Sequence, residues 1–584
     1  MLLALLALVQ AASAAVSSFN YVPLGSNPTL YTPGFEPIMH LDQHTFSDTV
    51  FGQDHAFVVE FYADWCGHCR AFVPFFRQFA NYVREWNSVV TVAVINCADP
   101  FNAQTCRDNG ITYYPMIKYY PRTARSPAQA QMMEAKHSAE GMRDSLMRAV
   151  ANEYSVARYT DWPNFSHIYV DGSTTYGQLW EGIHESADYL AILFEEYDGI
   201  GVQFILDLSS RSRMLGARRA LSSSPLVRML RIVEFPTVAL FRRDHQQALY
   251  MQRFTNATYT DLDRIIMRDT HVLPGFTIPY TTTTPATTTM PPIIDCMRHP
   301  DRCRDMYYVS ETDMLKAMRM ALYDEVIRTP GMIQNQDLDG LTDFITVLSN
   351  HFPVLSFSND IRRTKRTTST VLKNSERARF VFLHMREFLE SRRGRRSVPV
   401  EEYKRQFENV ERVYANPFPV NSSWQHCKGT LPTFRGYTCG LWTTFHALTV
   451  HTYIDTIKDS NVDALKPLKS IQGWVKGFFG CQNCKEHFMN MTTYKLPMTE
   501  RRVRHPQDMM TYLWRAHNIV NNRLHGDPSE DPQFTKLQFP PPFLCPTCHS
   551  GGQFSRRQVR NFLLRYYGNI KPHNRLRDRK LAFF

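Results

Sequence analysis

At 584 residues the chain exceeds what one hydrophobic core can organise, so several domains are expected. Its 43% hydrophobic and 13% aromatic content is that of a globular protein and excludes a largely disordered one. The net charge of +11 is dispersed, with clusters at Arg362-Arg363-Thr364-Lys365-Arg366 and Arg392-Arg393-Gly394-Arg395-Arg396; no nucleic-acid motif accompanies them, so solvated loops and no nucleic-acid partner are expected.

Residues 1–15 (MLLALLALVQAASAA) place a small-residue exit, Ala12-Ser13-Ala14, after an apolar core, as in a signal peptide. Nothing later approaches the roughly 18 unbroken apolar residues of a membrane-spanning helix. A soluble protein of the secretory pathway (ER and Golgi), released from the cell, is therefore expected. In residues 36–155, an apolar strand at 57–63 (FVVEFYA) leads into a helix carrying Phe72, Phe75, Phe76, Phe79 and Tyr82. A second strand is expected at 89–96, and Tyr114-Pro115 opens another at 116–120. Strand, helix, strand, and a proline before the next strand is an order that resembles thioredoxin.

Residues 156–275 repeat this grammar, with expected strands at 190–194 and 202–208 and Phe235-Pro236 ahead of a strand at 237–241. That segment holds no cysteine, so a redox-silent thioredoxin-like domain is expected, serving spacing and substrate docking. The Thr/Pro-rich stretch at 281–292 has no apolar periodicity and marks a linker, 276–295. Beyond it the pattern turns helical. Apolar residues three or four apart predict helices at 313–327, 341–352, 378–391 and 400–413, all within a domain at 296–415. Three more helices are expected from Phe434 onward, in a domain at 420–555, followed by a basic segment at 556–584.

The twelve cysteines fall into sequential pairs and suit an oxidising route: Cys66/Cys69, Cys97/Cys106, Cys296/Cys303, Cys427/Cys439, Cys481/Cys484 and Cys545/Cys548. Asn164, Asn256, Asn421 and Asn490 stand in glycosylation sequons. Trp65-Cys66-Gly67-His68-Cys69, between strand and helix, puts a first thiol at a helix N-terminus, where the dipole favours a thiolate and the intervening His adds to it. Cys66 is the expected exposed nucleophile and Cys69 its resolving partner. Glu60, inside an apolar strand, is costly to bury unless it moves protons. Pro115, expected in cis, would hold backbone for substrate pairing. A zinc site would need two further ligands, and the spacing of Cys97 and Cys106 suits a local disulfide instead.

Further on, three helical stripes combine polar and aromatic residues: Cys439, Trp442 and His446; Cys481, Cys484 and His487; and Trp514, His517, Asn518 and Asn521. Each alone reads as core packing. Together, beside a C-x-x-C, they suit a planar redox cofactor, because a packed core has little use for so many His and Asn side chains. The alternative is a zinc site built from Cys481/Cys484 and Cys545/Cys548 with His487 or His549, against which a secreted address argues.

Cys481-Gln482-Asn483-Cys484-Lys485-Glu486-His487-Phe488 and the run from Trp514 through Asn521 to Leu524 resemble the Erv/ALR sulfhydryl oxidase module. With a thioredoxin domain upstream, the whole chain is similar to the quiescin sulfhydryl oxidases. The resemblance implies a multidomain fold: two thioredoxin-like α/β domains, then an all-α region ending in an Erv/ALR-like FAD-binding helical bundle. FAD contacts are implied at Arg435, Trp442, His446, Asn483, His487, Trp514, His517, Asn518, Val520, Asn521, Lys536 and Phe539. Electrons would pass from reduced protein thiols through Cys66/Cys69 to Cys481/Cys484, then to FAD and molecular oxygen, giving hydrogen peroxide. Cys97–Cys106, Cys427–Cys439 and Cys545–Cys548 would be structural disulfides, with Cys296–Cys303 a local disulfide by default. The segment at 296–415 resembles a degenerate copy of the Erv module and would stand in for the dimer partner that module often has, implying a monomer. Asp64 departs from the proline usual before Trp-Cys in isomerases. Two rivals are an isomerase without flavin and a secreted matrix-binding protein.

Overall fold

The computed structural model describes residues 29–171, 174–197, 199–270, 292–354, 373–459 and 462–573. The leader, most of the Thr/Pro linker and the cluster at 362–366 lie outside them.

In the first domain, strands β1 (Met39–Leu41), β2 (Ala56–Tyr62), β3 (Val90–Asn96), β4 (Met116–Tyr120) and β5 (Gln131–Met133) form one sheet in the order β1-β3-β2-β4-β5. The central strand β2 is buried on both faces, which explains its nearly continuous apolar run. It pairs parallel with β3 and antiparallel with β4. Helix α1 (Gly67–Tyr82) starts immediately after Cys66 and buries Phe72, Phe76 and Phe79 against the sheet. Helix α2 (Ala139–Ala157) is capped by the Ser138 hydroxyl, which accepts from the Gly141 N–H.

A second sheet, β7-β6-β8-β9, comprises β6 (Tyr189–Glu195), β7 (Leu215–Leu221), β8 (Thr237–Arg242) and β9 (His245–Arg253). The strand expected at 202–208 is instead a helix, α3 (Ile200–Asp207). It occupies the place that α1 takes in the first domain, directly after the central strand. A short apolar run fits a buried helix as well as a strand. The two sheets' domains are joined through Trp86, whose indole N–H donates to Asp207 at 2.7 Å, and through Ser209, which donates to the Glu85 carbonyl.

The helical region contains α4 (Glu311–Arg319), α5 (Asn335–His351), α6 (Asn374–Glu390), α7 (Val400–Val413), α8 (Gly436–Thr456), α9 (Lys466–Phe478), α10 (Gln482–Asn490), α11 (Pro506–Leu524) and α12 (Arg556–Gly568). Among the described residues, five α-helices therefore follow Phe434, where three are expected, and the basic tail begins as a packed helix. Helices α5 and α9 cross where Gly340 meets Gly473. A Cβ on Gly340 would lie 3.0 Å from the Gly473 carbonyl carbon, so a larger residue would force the helices apart. The cluster at 392–396 is partly neutralised: Arg392 pairs with Glu402 and Arg393 with Asp339 and Asp343. No helix among the described residues is long and apolar enough to cross a membrane.

Candidate active site at the domain junction

The first domain docks on the helical region through its thiol end. The Sγ atoms of Cys66, Cys481 and Cys484 all lie within 4.8 Å of one another. Cys66 and Cys69 are free thiols, whereas Cys481 and Cys484 are disulfide-bonded. Backbone pairing sets this approach. The Tyr114 N–H donates to the Gly480 carbonyl at 2.8 Å, and the Gln482 N–H donates to the Tyr114 carbonyl at 3.3 Å. The residue before cis-Pro115 thus holds the segment entering Cys481 as a short parallel bridge. Trp65 adds packing, with its ring 4.9 Å from Tyr437 and 5.8 Å from Phe479.

This arrangement corrects the expectation of an exposed Cys66, which is fully buried because the helical region covers it. It also removes charge from His68: burial first, then His137, lowers its pKa to about 4, so it is neutral near pH 7. Beneath the motif, Glu60 is fully buried and accepts a hydrogen bond from the Tyr31 hydroxyl at 2.5 Å. Its other oxygen has no hydrogen-bond partner among the described residues. Burial raises the Glu60 pKa to about 8 and pushes the Cys69 thiol well up, with Cys66 adding to the latter. A carboxyl that exchanges protons near neutrality therefore sits below a thiol that must lose one.

On the other side of Cys484 lies a cavity of about 270 Å³. Its walls include Cys484, His487, Trp442, His517, Phe539 and Tyr567, with Arg435, Lys495, Arg523 and Lys536 supplying positive charge. Trp442 and His517 stack with centroids 4.1 Å apart and 8° between planes. Burial, then Arg435 and Arg70, lowers the Lys536 pKa to about 8. Flat rings beside a disulfide, with clustered cations, suit a group that has both a planar redox ring and an anionic part.

Comparison with known proteins matches the thioredoxin family over residues 37–146 and the Erv1 / Alr family over residues 439–540. Sulfhydryl oxidase 1 of Mus musculus is 29% identical over 531 residues, covering 88% of this chain and 64% of its own length. Sulfhydryl oxidase 1 of Gallus gallus is 30% identical over 533 residues, covering 90% of this chain and 66% of its own. The chain belongs to the quiescin sulfhydryl oxidase family. It spans just under two thirds of the length of these relatives. A solved sulfhydryl oxidase fragment of human QSOX1 is 30% identical, covers 46% of this chain and 99% of that one, and has a TM-score of 0.37.

Of the cofactor positions that the family resemblance implies, Arg435, Trp442, His487, His517, Val520, Asn521, Lys536 and Phe539 line the cavity. His446, Asn483, Trp514 and Asn518 do not. The Trp514 indole N–H and the Asn518 amide both donate to the Phe539 carbonyl, and the Phe539 N–H returns a bond to Asn518 at 2.8 Å. The Asn521 amide also donates to the Leu537 carbonyl. These side chains lace the 537–539 segment onto α11, so Trp514 and Asn518 shape the cavity from behind while Asn521 also lines it. His446 stacks on Tyr567 and lies 3.0 Å from His517, nitrogen to nitrogen. Tyr307, Tyr308, Tyr566 and Tyr567 also line the cavity and were missed, because they come from outside the motif-bearing helices.

Cys97–Cys106, Cys296–Cys303, Cys427–Cys439 and Cys545–Cys548 each close as disulfides. The two late C-x-x-C pairs are thus separate disulfides and not one four-thiolate cluster. Asn256, Asn421 and Asn490 are exposed, whereas Asn164 is half-buried and accepts from the Ser166 N–H.

Proposed function

We propose that this chain is a flavin-dependent thiol oxidase that introduces disulfides into reduced protein substrates. The observation that carries this reading is the convergence of Cys66 on the Cys481–Cys484 disulfide, with Tyr114 pairing to the chain on either side of Cys481.

A substrate thiolate attacks the oxidised Cys66–Cys69 pair, and a second substrate thiol releases the substrate with its own disulfide. This leaves two thiols on the first domain. After docking, the Cys66 thiolate attacks the Cys481 sulfur and the Cys484 sulfur leaves as a thiolate. Glu60 takes the proton of Cys69, which attacks Cys66 and frees Cys481. The pair of electrons now rests on Cys481 and Cys484. Arg435, Lys495 and Lys536 would hold the diphosphate of FAD, while Trp442, His517, Phe539 and Tyr567 would bound its rings. Bound there, the flavin supplies the acceptor for that electron pair and the reduction of dioxygen to hydrogen peroxide.

Burial of Cys66 excludes water and bulky thiols during transfer. Substrates therefore meet Cys66 only when the first domain has left the helical region, so domain motion belongs to turnover. The redox-silent domain serves spacing and substrate docking, and the α4–α7 layer takes the place of a dimer partner, giving a monomer. The protein works in the secretory pathway and outside the cell.

The test is a visible spectrum of the purified chain before and after dithiothreitol in air, with peroxide assayed alongside. Flavin bands that bleach with thiol and return as peroxide accumulates are expected. A colourless folded protein would sink the proposal and leave an isomerase-like activity of the first domain.

A further inference from the structure

The cavity beside Cys484 is not built by the helical region alone. Gly67 and Arg70, on the first turn of α1 in the thioredoxin domain, also line it. A Cβ on Gly67 would lie 3.5 Å from the Ser529 hydroxyl, so the two surfaces are in close contact there. One Arg70 terminal nitrogen donates to the Asp64 carbonyl at 3.1 Å, and its guanidinium carbon sits 5.8 Å from the centre of the Phe434 ring. The Arg70 Nε is buried and has no hydrogen-bond partner among the described residues.

Docking therefore brings a fifth cation to a cavity already lined by Arg435, Lys495, Arg523 and Lys536. Asp531 is the one carboxylate among the lining residues, and it already accepts from the Thr430 N–H and hydroxyl and the Gln533 N–H. Arg435 is clipped to the His426 and Lys428 carbonyls and stacks 3.7 Å over Phe534, so it cannot swing away. Asp527 lies near Arg70 and Arg523, and Glu530 near Lys536, yet five cations still outnumber the carboxylates around the cavity, which favours an anionic guest.

We propose that Arg70 is a cofactor-binding residue that the thioredoxin domain lends to the flavin site only in the docked state, where it faces the diphosphate. This rests on the flavin reading above. Its consequence is reciprocal: bound FAD favours docking, and docking holds FAD more tightly by the same factor. Electrons are thereby offered preferentially where an acceptor is present.

The experiment uses the full-length chain with Cys69→Ser and Cys484→Ser, loaded with FAD, with and without an added Arg70→Met or Arg70→Lys. Each protein is compared in two forms: locked by a Cys66–Cys481 disulfide and reduced. FAD release is followed by the rise in flavin fluorescence on dilution. Locking is expected to slow release roughly tenfold in the parent, the worth of one charge-assisted contact. Arg70→Met should abolish that slowing, and Arg70→Lys should keep part of it. A locked Arg70→Met protein that still releases FAD as slowly as the locked parent would overturn the proposal, because covering alone would then explain the effect. Wild-type chain that binds no FAD at all would instead defeat the flavin reading, and this proposal with it.

Discussion

The two thioredoxin-like sheets share a plan but treat the same buried charge differently. In each, the central strand pairs parallel on one side and antiparallel on the other, and each carries a buried glutamate. Glu195 in β6 is fully matched: it accepts from the Gly201 N–H at 2.8 Å and pairs with Arg219 and His167, each at 3.2 Å. Glu60 in β2 has Tyr31 alone, with one oxygen unpartnered. Leaving a buried carboxylate half-satisfied costs stability. The cysteine-free domain neutralises that charge and uses it for packing. The domain with thiols leaves it unpaired beneath Cys69, where a proton has to go.

The largest effect is expected when the first domain is made as redox-silent as the second. Cys66→Ser should lower oxidation of reduced protein substrates by at least roughly 1,000-fold, measured by oxygen consumption, while the Cys481–Cys484 pair still accepts electrons from dithiothreitol. Next in size is Glu60→Gln, which should slow thiol oxidation about 10- to 100-fold and flatten its pH profile. The stability effect has a defined sign. Burial raises the Glu60 pKa from 4.5 to about 8, so its contribution is fully present below about 4.5 and is lost as pH rises through about 8. Glu60→Gln should remove that loss, and denaturant unfolding at pH 9 should show the variant more stable than the parent.

Gly480→Val probes the pairing that the cysteine-free domain lacks. Its Cβ would lie 2.9 Å from a Glu325 oxygen and 3.1 Å from the Arg328 guanidinium carbon, shifting the carbonyl that receives the Tyr114 N–H. Interdomain transfer, followed by stopped-flow, should slow about tenfold, equivalent to losing one or two hydrogen bonds. The smallest effect on activity is expected from Glu195→Gln, whose oxidation rate should stay within about twofold of the parent. That variant should nevertheless lose on the order of 2 kcal/mol of stability, because a neutral amide replaces the carboxylate that faces Arg219 and His167. An activity loss in Glu195→Gln as large as in Glu60→Gln would erase the distinction between the two sheets.

Much of this organisation was legible before the fold was known. Trp65 through Cys69 sits between a two-face-buried strand and an amphipathic helix, and both proline-led strands follow where the pattern put them. What sequence could not supply was which neighbour a side chain meets. Periodicity put Trp514, Asn518 and Asn521 on one face of α11, yet that face looks partly to the cavity and partly to the 537–539 backbone. The motif predicted an exposed Cys66, but its burial depends on a surface hundreds of residues away. Tyr31 precedes the first long strand in a segment with no periodic signal, so its bond to Glu60 had no local trace. Tyr566 and Tyr567 lie in what composition alone marks as a basic tail.

The central claim is that Cys66 passes its electrons to Cys481 within one chain. The most direct measurement is peptide mapping, without reductant, of the Cys69→Ser/Cys484→Ser chain after mild oxidation. An intramolecular Cys66–Cys481 disulfide is expected as the dominant new crosslink in monomeric protein. Cys66 left free, or bonded only to cysteines of other molecules, would contradict it.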